Sequence, residues 1–187
     1  PPRRQKLCLH YLEKIMTNTN ELKYAFIKCA AAETFLLWNK YIEDKRNENP
    51  TTKTPSLDEE AQKKLGNGTI PDEFKRQMFY TFADYRDICL GTDISSITDI
   101  HSAVSIAKDN IYEVFKKIYQ ASIPYRKNWW EKHGPEIWEG MLCALEKIAG
   151  NKDALIKNIA YNYKTVKFSD NTTNLESFAS RPQFFRW

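Results

Sequence analysis

Apolar side chains recur every three or four residues through most of this 187-residue chain, and this spacing constrains the fold more than any other feature. The longest seam begins at Leu22 and Ala25 and continues through Cys29. A spacing of three and four places side chains on one face of an α-helix, whereas a half-buried strand needs strict alternation, which no segment shows. The chain is therefore predicted to be all-α, as an antiparallel helical bundle with long loops.

Turn and cap residues divide this pattern into separate helices. The pattern predicts helices at about 4–16, 21–45, 71–91, 96–119, 135–148 and 153–160. Residues 17–20 interrupt the first two and supply cap side chains, and Gly91 ends the third. Pro124 is expected to break the pattern, and the pair Gly134-Pro135 to restart it.

Residues 46–69 differ from the rest in being rich in Asn, Thr, Lys, Pro and Gly. This composition predicts a variable, solvent-exposed insertion with one helical turn at about 57–65. Shorter loops are expected near 92–99, 120–128 and 161–174. Such loops are where differences in binding are expected to concentrate.

The composition favours a packed extracellular domain. Hydrophobic residues make up 42% of the chain, enough for a core, and the net charge is only +4 with both signs interleaved. This balance argues against a nucleic-acid-binding protein, although a slight basic excess suits an anionic glycan or an acidic protein face. No apolar stretch approaches the roughly 20 residues of a membrane span, and no leader is visible, so we expect an ectodomain piece.

No pattern of an enzyme, a cofactor site or a metal site stands out. His10, His101 and His133 are far apart, and no second ligand pair with zinc spacing follows Cys8. Residues 66–68 form a turn and not a phosphate loop, because no strand precedes them and no Gly-Lys-Ser/Thr follows. We therefore expect no enzymatic activity, no cofactor and no metal.

Three carboxylates merit attention because of their helical positions. Asp84 and Asp87 lie beside a buried face of their helix. At such positions an ion pair with Arg86 or Lys75 is more common than a catalytic pair of carboxylates. Glu33 lies within an aromatic-rich helix, and a salt bridge or hydrogen bond to Arg or Trp is its expected role.

Four cysteines each lie singly in a predicted helix, which suggests a scaffold tied by disulfides. Cys143 lies off the apolar stripes beside Gly140, as if it faced a neighbour across a close approach, and Cys8 is one plausible partner. A bridge closing so long a loop is worth about 4–5 kcal/mol in the chain-entropy model. Cys29 and Cys89 lie on apolar seams, where buried free thiols are an alternative. The sequence alone permits three pairings.

Five segments carry a resemblance to a known family. They are PPRRQKLC (1–8), AFIKCAAAETF (25–35), IPDEFKRQMFYTFADYRDICLG (70–91), WWEKHGPEIWEGMLCAL (129–145) and LESFASRPQFFRW (175–187). In this order they resemble the Duffy-binding-like domains of malaria-parasite adhesins, most closely those of Plasmodium falciparum erythrocyte membrane protein 1. The resemblance implies that 1–187 is a single, incomplete domain of this kind, namely its middle helical subdomain with flanks.

The resemblance also implies a disulfide pairing and a class. It implies Cys8–Cys143 and Cys29–Cys89, because several members keep the first and last of these positions and lack the middle two. The intact middle cysteines and the Arg-Arg-Gln form at 3–5 are more similar to the beta, epsilon or zeta classes than to the alpha class.

The function implied by the resemblance is adhesion of infected erythrocytes by a variant surface antigen at the erythrocyte surface. The implied partners are a host receptor such as intercellular adhesion molecule 1, a sulfated glycan such as chondroitin sulfate, immunoglobulin M, neighbouring adhesin domains and antibodies. The alternative is a structural and antigenic spacer without an endothelial receptor of its own. The beta-class contact segment lies, by resemblance, beyond Trp187.

For a sulfated glycan, exposed basic side chains are the expected carriers, because binding would be driven by charge. The candidates are Arg3, Arg4, Lys6, Lys63, Lys64, Arg126 and Lys127. Each is equally explained as ordinary solvated charge.

Overall fold

The structure is a computed structural model that describes residues 7–48, 56–92, 102–118 and 121–186. The helices are α1 (Thr19–Glu48), α2 (Leu57–Gly66), α3 (Asp72–Leu90), α4 (Ala103–Lys117), α5 (Ile123–Ala149) and α6 (Leu175–Ser180). Two 3-10 turns occupy Ile159–Tyr161 and Gln183–Arg186. The described residues include no strand, only one isolated bridge. The all-α prediction is confirmed.

Helices α1 and α5 form the most extensive helix pair of the bundle. They approach so closely at Gly140 that an added Cβ would lie 2.9 Å from Cγ2 of Ile27. The close approach predicted at Gly140 is thus present, with α1 as the neighbour. The fully buried rings of the bundle include Phe26, Phe74, Phe79, Phe82, Tyr85, Phe115, Trp130, Trp138 and Phe178. Each such ring contributes about 1.5–3 kcal/mol by leaving water, so this cluster dominates the core.

Two predicted helix ends are observed as expected. The side chain of Asn18 accepts a hydrogen bond from the backbone N–H of Glu21 at 2.9 Å, at the start of α1. Gly91 ends α3 in the left-handed conformation, with φ of +74°. A side chain is strained there, which explains the glycine.

The predicted helix at 4–16 is wrong for its described part, which forms only a single turn. The backbone there finds partners on distant helices instead of within itself. The N–H of Cys8 donates to a carboxylate oxygen of Glu33 at 2.8 Å, and the hydroxyl of Tyr85 donates to the carbonyl of Cys8 at 2.7 Å. Because these bonds satisfy the peptide groups, the segment stays extended against the bundle. Residues 4–6 lie outside the described part.

Two residues placed on predicted apolar faces are solvent-exposed. Ile15 is 87% exposed because the turn replaces the expected helix, and Leu36 of α1 lies half in solvent. Leu22, Ala25 and Cys29 of the α1 seam are buried as predicted, whereas Ala32 is only partly buried.

The prediction that residues 134–135 begin a new helix is wrong, since α5 runs without a break from Ile123 to Ala149 and carries Pro135 inside it. Proline crowds the Cβ of the residue before it, and Gly134 has none, so the helix continues. Residues 123–128, expected in a loop, are the first turns of this helix.

Two further predictions concern the start of α4 and residues 153–160. Helix α4 begins at Ala103, where the hydroxyl of Ser102 caps it by accepting from the N–H of Ser105 at 3.2 Å, and the predicted start near residue 96 lies outside the described part. The predicted helix at 153–160 is wrong; turns and a short 3-10 segment stand there.

The segment predicted as a solvent-exposed insertion is mostly exposed in its described part, and the helical turn predicted at about 57–65 is present as α2, which anchors the segment by a few buried side chains. Helix α1 extends to Glu48, and α2 buries Ala61 and Leu65 against α1 and α5. A capping box at Ser56 and an ion pair between Arg46 and Asp58 fix its first turn. Residues 49–55 lie outside the described part.

Candidate functional site

A polar pocket of about 230 Å³ lies where α3 and α5 meet the segment that contains α6. We call it the Trp130 pocket. Its charged lining residues are Arg86, Lys127, Glu131 and Glu176. Three aromatic residues, Phe82, Trp130 and Tyr163, complete its walls.

One buried polar group of this pocket has no hydrogen-bond partner among the described residues. Trp130 is 2% exposed, and its indole Nε1 donates to no described atom. The hydroxyl of Tyr163 also makes no hydrogen bond within the described ranges, but its oxygen keeps contact with solvent. Buried polar groups are almost always paired, so the indole N–H of Trp130 needs an explanation.

The electrostatic surroundings of Tyr163 keep it a neutral donor. Burial raises the pKa of Tyr163 to about 12, with Glu176 and Glu131 raising it further and Arg86 opposing them. The backbone makes room for this hydroxyl at Gly134, where an added Cβ would lie 3.1 Å from the phenolic oxygen.

Arg86 is half-buried and forms no ion pair with any described carboxylate. Its Nη1 donates to the carbonyl of Ala179 at 3.3 Å, which leaves further N–H groups free to donate. Lys127, at the rim, lies 3.8 Å from Glu131, a long contact between exposed side chains that is worth little. The pocket therefore holds more donors than its own walls satisfy.

Asp87, the residue that follows Arg86 on α3, differs from it in having a buried ion-pair partner. The carboxylate of Asp87 is paired with the guanidinium of Arg186, and both are buried. Arg186 also donates to the carbonyl of Ala179 at 3.2 Å. The predicted pairing of Asp87 with Arg86 or Lys75 is wrong, because the chain end brings a better-placed arginine.

The other carboxylates singled out from the sequence serve the fold. Glu33 is buried and accepts a hydrogen bond from the backbone N–H of Cys8, and its expected interaction with an Arg or Trp stays a prediction. Lys75 pairs with Asp72 at 3.1 Å. Among the described residues, no group of three or more His, Cys, Asp or Glu side chains is placed to hold a metal ion.

Of the predicted glycan-binding residues, Arg3, Arg4 and Lys6 lie outside the described part. Lys63 and Lys64 are exposed in the last turn of α2, where positive charge also favours the helix dipole. Their role in binding stays a prediction.

The expectation that Arg126 is exposed is wrong. Arg126 is only 7% exposed, and it donates to the carbonyls of Ala121 at 3.1 Å and Cys89 at 3.4 Å. Burial lowers the pKa of Arg126. Its guanidinium closes the end of α3, so it is unavailable to a surface ligand, whereas Lys127 is exposed at the pocket rim.

All four cysteines are free thiols in the structure, so neither predicted disulfide is formed in it. Burial raises the pKa of Cys29 to about 12, and the nearby Cys8 raises it further. Cys89 is fully buried, and Cys143 lies half-exposed in the groove between α1 and α5. The disulfide pairing in the oxidised protein stays a prediction. Peptide mapping of the protein without reduction tests it.

Several large apolar side chains are exposed away from the pocket. Phe35 and Leu36 lie on the open side of α1. Phe184 is 78% exposed, and Phe185 beside it is similarly open, in the 3-10 turn near the chain end. Trp187 lies outside the described part. Exposed apolar groups of this size are typical of contact with another polypeptide.

Sequence reasoning missed the pocket, because the donor groups that line it lie far apart in the chain, at positions 86, 130 and 163. Considered separately, Arg86, Trp130 and Tyr163 each lie in a helix or loop whose local sequence gives no sign of a binding site. The Trp129-Trp130 pair was the only local signal, and it is equally typical of a core.

Comparison with known proteins identifies the class of domain. The profile of the Duffy binding domain family matches residues 1–186. The Duffy receptor of Plasmodium vivax (strain Salvador I) is 24% identical over 189 residues, which is 100% of this chain and 14% of that protein. The Duffy receptor beta form of Plasmodium knowlesi is 24% identical over 187 residues, again 100% of this chain and 13% of that protein. No solved structure matches the chain.

This chain belongs to the Duffy binding domain family. It spans about one seventh of the length of the curated relatives it matches. Within the described ranges, no helix combines the length and apolar character that crossing a bilayer requires.

Proposed function

We propose that this chain is the receptor-binding module of a parasite surface adhesin. The observation that carries the proposal is the family match over residues 1–186, together with two relatives that are named Duffy receptors. In this proposal the module acts by binding a receptor and not by catalysing a reaction. The Trp130 pocket agrees with this, because it is a recess lined by charged and aromatic side chains.

The finer proposal is that the parent protein is a Plasmodium falciparum erythrocyte membrane protein 1. The five sequence segments quoted above support it. In this proposal the domain lies on the extracellular face of a membrane-anchored, antigenically variable protein of the infected erythrocyte. It holds the cell to a host receptor, which is a protein such as intercellular adhesion molecule 1 or a sulfated glycan, and antibodies bind the same surface.

The alternative is a structural and antigenic spacer, with immunoglobulin M binding as a further variant. The exposed rings of Phe184 and Phe185 favour it, because they offer an apolar contact for a neighbouring adhesin domain. A spacer retains these contacts and has no measurable affinity for an endothelial receptor.

Surface plasmon resonance separates these functions. The full-length parent domain and this 187-residue chain are passed over intercellular adhesion molecule 1, immunoglobulin M, chondroitin sulfate and heparan sulfate. Saturable binding by both proteins supports a receptor site within these residues. Binding by the parent domain alone moves the site past Trp187, and no binding by either contradicts the receptor-binding proposal.

The salt dependence of any glycan binding identifies the contribution of the exposed lysines. Charge-driven contacts weaken as ionic strength rises from about 0.05 to 0.2 M, because the Debye length shortens. Lys63→Gln with Lys64→Gln is the matched variant, since both side chains are exposed and their loss leaves the core intact. Binding that neither salt nor this variant weakens contradicts a role for α2.

A further inference from the structure

We propose that Cys8 and Cys29 form a disulfide in the oxidised protein, and that Cys89 and Cys143 remain free thiols. This bond ties the first described residues of the chain to α1, independently of any receptor. It differs from the pairing that the family resemblance implies, which joins Cys8 to Cys143. The turn at residues 7–13, which we call the Cys8 turn, lies against the buried Cys29 and is the basis of the proposal.

Cys8 is held on α1 by its backbone. Its N–H donates to the carboxylate of Glu33 at 2.8 Å, and its carbonyl accepts from the hydroxyl of Tyr85 at 2.7 Å. Glu33 follows Cys29 by four residues, so both side chains lie on the same face of α1, one turn apart. Side chains of a helix lean towards its N-terminus, so the carboxylate of Glu33 brings Cys8 towards Cys29.

The sulfur of Cys29 is enclosed by the same turn. Cys29 is fully buried, and its sulfur faces the thiol of Cys8 and the backbone N–H groups of Tyr11 and Leu12. The side chains of Leu9 and Leu12 are buried as well. The Cys8 turn therefore covers Cys29, and the two thiols share one site.

Cys143 lies on the far side of α1 from this site. It lines the groove between α1 and α5 together with Ile27 and Ala31. Successive residues of an α-helix are rotated by about 100°, so Ile27 and Ala31 each lie about 160° around α1 from Cys29. The helix itself is about 10 Å across with its side chains, whereas a disulfide needs Cα atoms within about 7 Å of each other.

Cys89 is also too distant to pair with Cys143. Its carbonyl accepts from the guanidinium of Arg126 at 3.4 Å, beside the first turn of α5. Residues 127–143 of the same helix span about 25 Å, so Cys143 lies near the opposite end. With Cys29 bonded to Cys8, Cys89 stays a buried thiol and Cys143 a half-exposed one.

The oxidant in this proposal is a small disulfide, such as oxidised glutathione. Cys8 is half-exposed, so its thiolate attacks one glutathione sulfur and releases the first glutathione as a thiolate. The thiolate of Cys29 then attacks the sulfur of Cys8, which forms the protein disulfide and releases the second glutathione. The protein loses two protons and two electrons, and one oxidised glutathione becomes two thiols. Because burial raises the pKa of Cys29 to about 12, this second step is expected to limit the rate.

Peptide mapping of the full 187-residue chain tests the pairing. The folded chain is treated with oxidised glutathione, its remaining thiols are blocked with N-ethylmaleimide, and it is digested without reduction. The expected products are one peptide that joins Cys8 to Cys29 and a maleimide adduct on Cys143. Cys89 is expected to react with maleimide only after the chain is unfolded.

Matched variants measure what the bond does. In the oxidised chain, Cys8→Ser is expected to lower the midpoint of thermal unfolding by about 5–10 °C, because the unfolded chain regains the freedom of the open loop. Cys143→Ser is the control, a half-exposed thiol outside the site, and its midpoint is expected to change by less than about 2 °C. With dithiothreitol present, the midpoints of the unmodified chain and of Cys8→Ser are expected to converge.

Three results overturn the inference. The first is a peptide that joins Cys8 to Cys143 or Cys29 to Cys89, which supports the pairing implied by the resemblance. The second is a mixed disulfide of Cys8 with glutathione that persists and never yields a protein disulfide. The third is a loss of stability in Cys8→Ser that is as large in dithiothreitol as in the oxidised state, since the thiol would then act by packing alone.

Discussion

Arg86 and Asp87 are neighbours on α3, yet one lies in an incomplete polar site and the other in a complete one. Asp87 is paired with Arg186, which also binds the carbonyl of Ala179. Arg86 reaches the same carbonyl at 3.3 Å and has no carboxylate partner among the described residues. A satisfied buried pair fixes the chain end to the bundle, whereas unsatisfied donors leave free energy available for a ligand. The structural site at Asp87 and the candidate binding site at Arg86 therefore differ in whether their charged groups have ion-pair partners, and not in burial alone.

The largest effect is expected where the complete site is broken. Arg186→Gln removes a guanidinium that is paired with the buried carboxylate of Asp87, and the expected loss in free energy of unfolding is about 3–5 kcal/mol. Urea unfolding followed by tryptophan fluorescence measures it. Arg181→Gln, an exposed arginine in the same segment, is the control and is expected to cost no more than about 0.5 kcal/mol. Equal losses in the two variants contradict the structural role of the pair.

The second effect concerns alkaline pH. The pKa of a tyrosine in the unfolded chain is about 10, and that of Tyr163 in the folded chain is about 12. Between these values the folded chain keeps a proton that the unfolded chain has lost, so the free energy of unfolding falls as pH rises from about 10 to 12. The expected loss is about 2–3 kcal/mol.

Tyr163→Phe isolates this contribution, because all other titrating groups cancel in the difference between the two proteins. Urea unfolding at intervals from pH 9 to 12 is expected to show a shallower fall for the variant. If the free energy of unfolding fell equally with pH in both proteins, the pKa of Tyr163 in the folded chain would be the ordinary tyrosine value of about 10.

The third effect compares two tyrosines two residues apart. The hydroxyl of Tyr161 accepts the buried N–H of Ile70 at 2.9 Å. Tyr161→Phe leaves that N–H without an acceptor, and we expect a loss of about 1–3 kcal/mol in the free energy of unfolding. Native-state hydrogen exchange of the Ile70 amide measures the same bond locally. An unchanged exchange rate would contradict it.

The smallest effect is expected from Tyr163→Phe at neutral pH. Its hydroxyl has no hydrogen-bond partner within the described residues, so its removal is expected to change the free energy of unfolding by less than about 0.5 kcal/mol. Urea unfolding at pH 7 beside Tyr161→Phe gives the comparison. A loss as large as that of Tyr161→Phe would show that the pocket is already satisfied.

The helical fold was predictable because apolar spacing reports directly on which residues share a buried face. The predictions failed where a distant group decides the local structure. The segment containing Cys8 avoids a helix because Glu33 and Tyr85 supply its hydrogen bonds. Helix α5 passes Pro135 because Gly134 has no side chain to crowd it.

The candidate site was less accessible to sequence reasoning than the fold. Charge alone suggested Arg126, but that side chain turns inward to the carbonyl at the end of α3. Whether a buried donor is satisfied depends on atoms from several helices, which no local pattern records. Arg86 and Trp130 became candidates only when the fold placed them around one pocket.

The most direct test measures two properties of two matched variants, Arg86→Gln and Arg186→Gln, in the 187-residue chain. The properties are the affinity for the member of the surface plasmon resonance panel that the unmodified chain binds, and the midpoint of urea unfolding. We predict that Arg86→Gln loses about tenfold or more in affinity with its midpoint unchanged, and that Arg186→Gln lowers the midpoint strongly. If Arg86→Gln instead lowers the midpoint as much as Arg186→Gln, or leaves the affinity intact, then both arginines are structural and the account is contradicted.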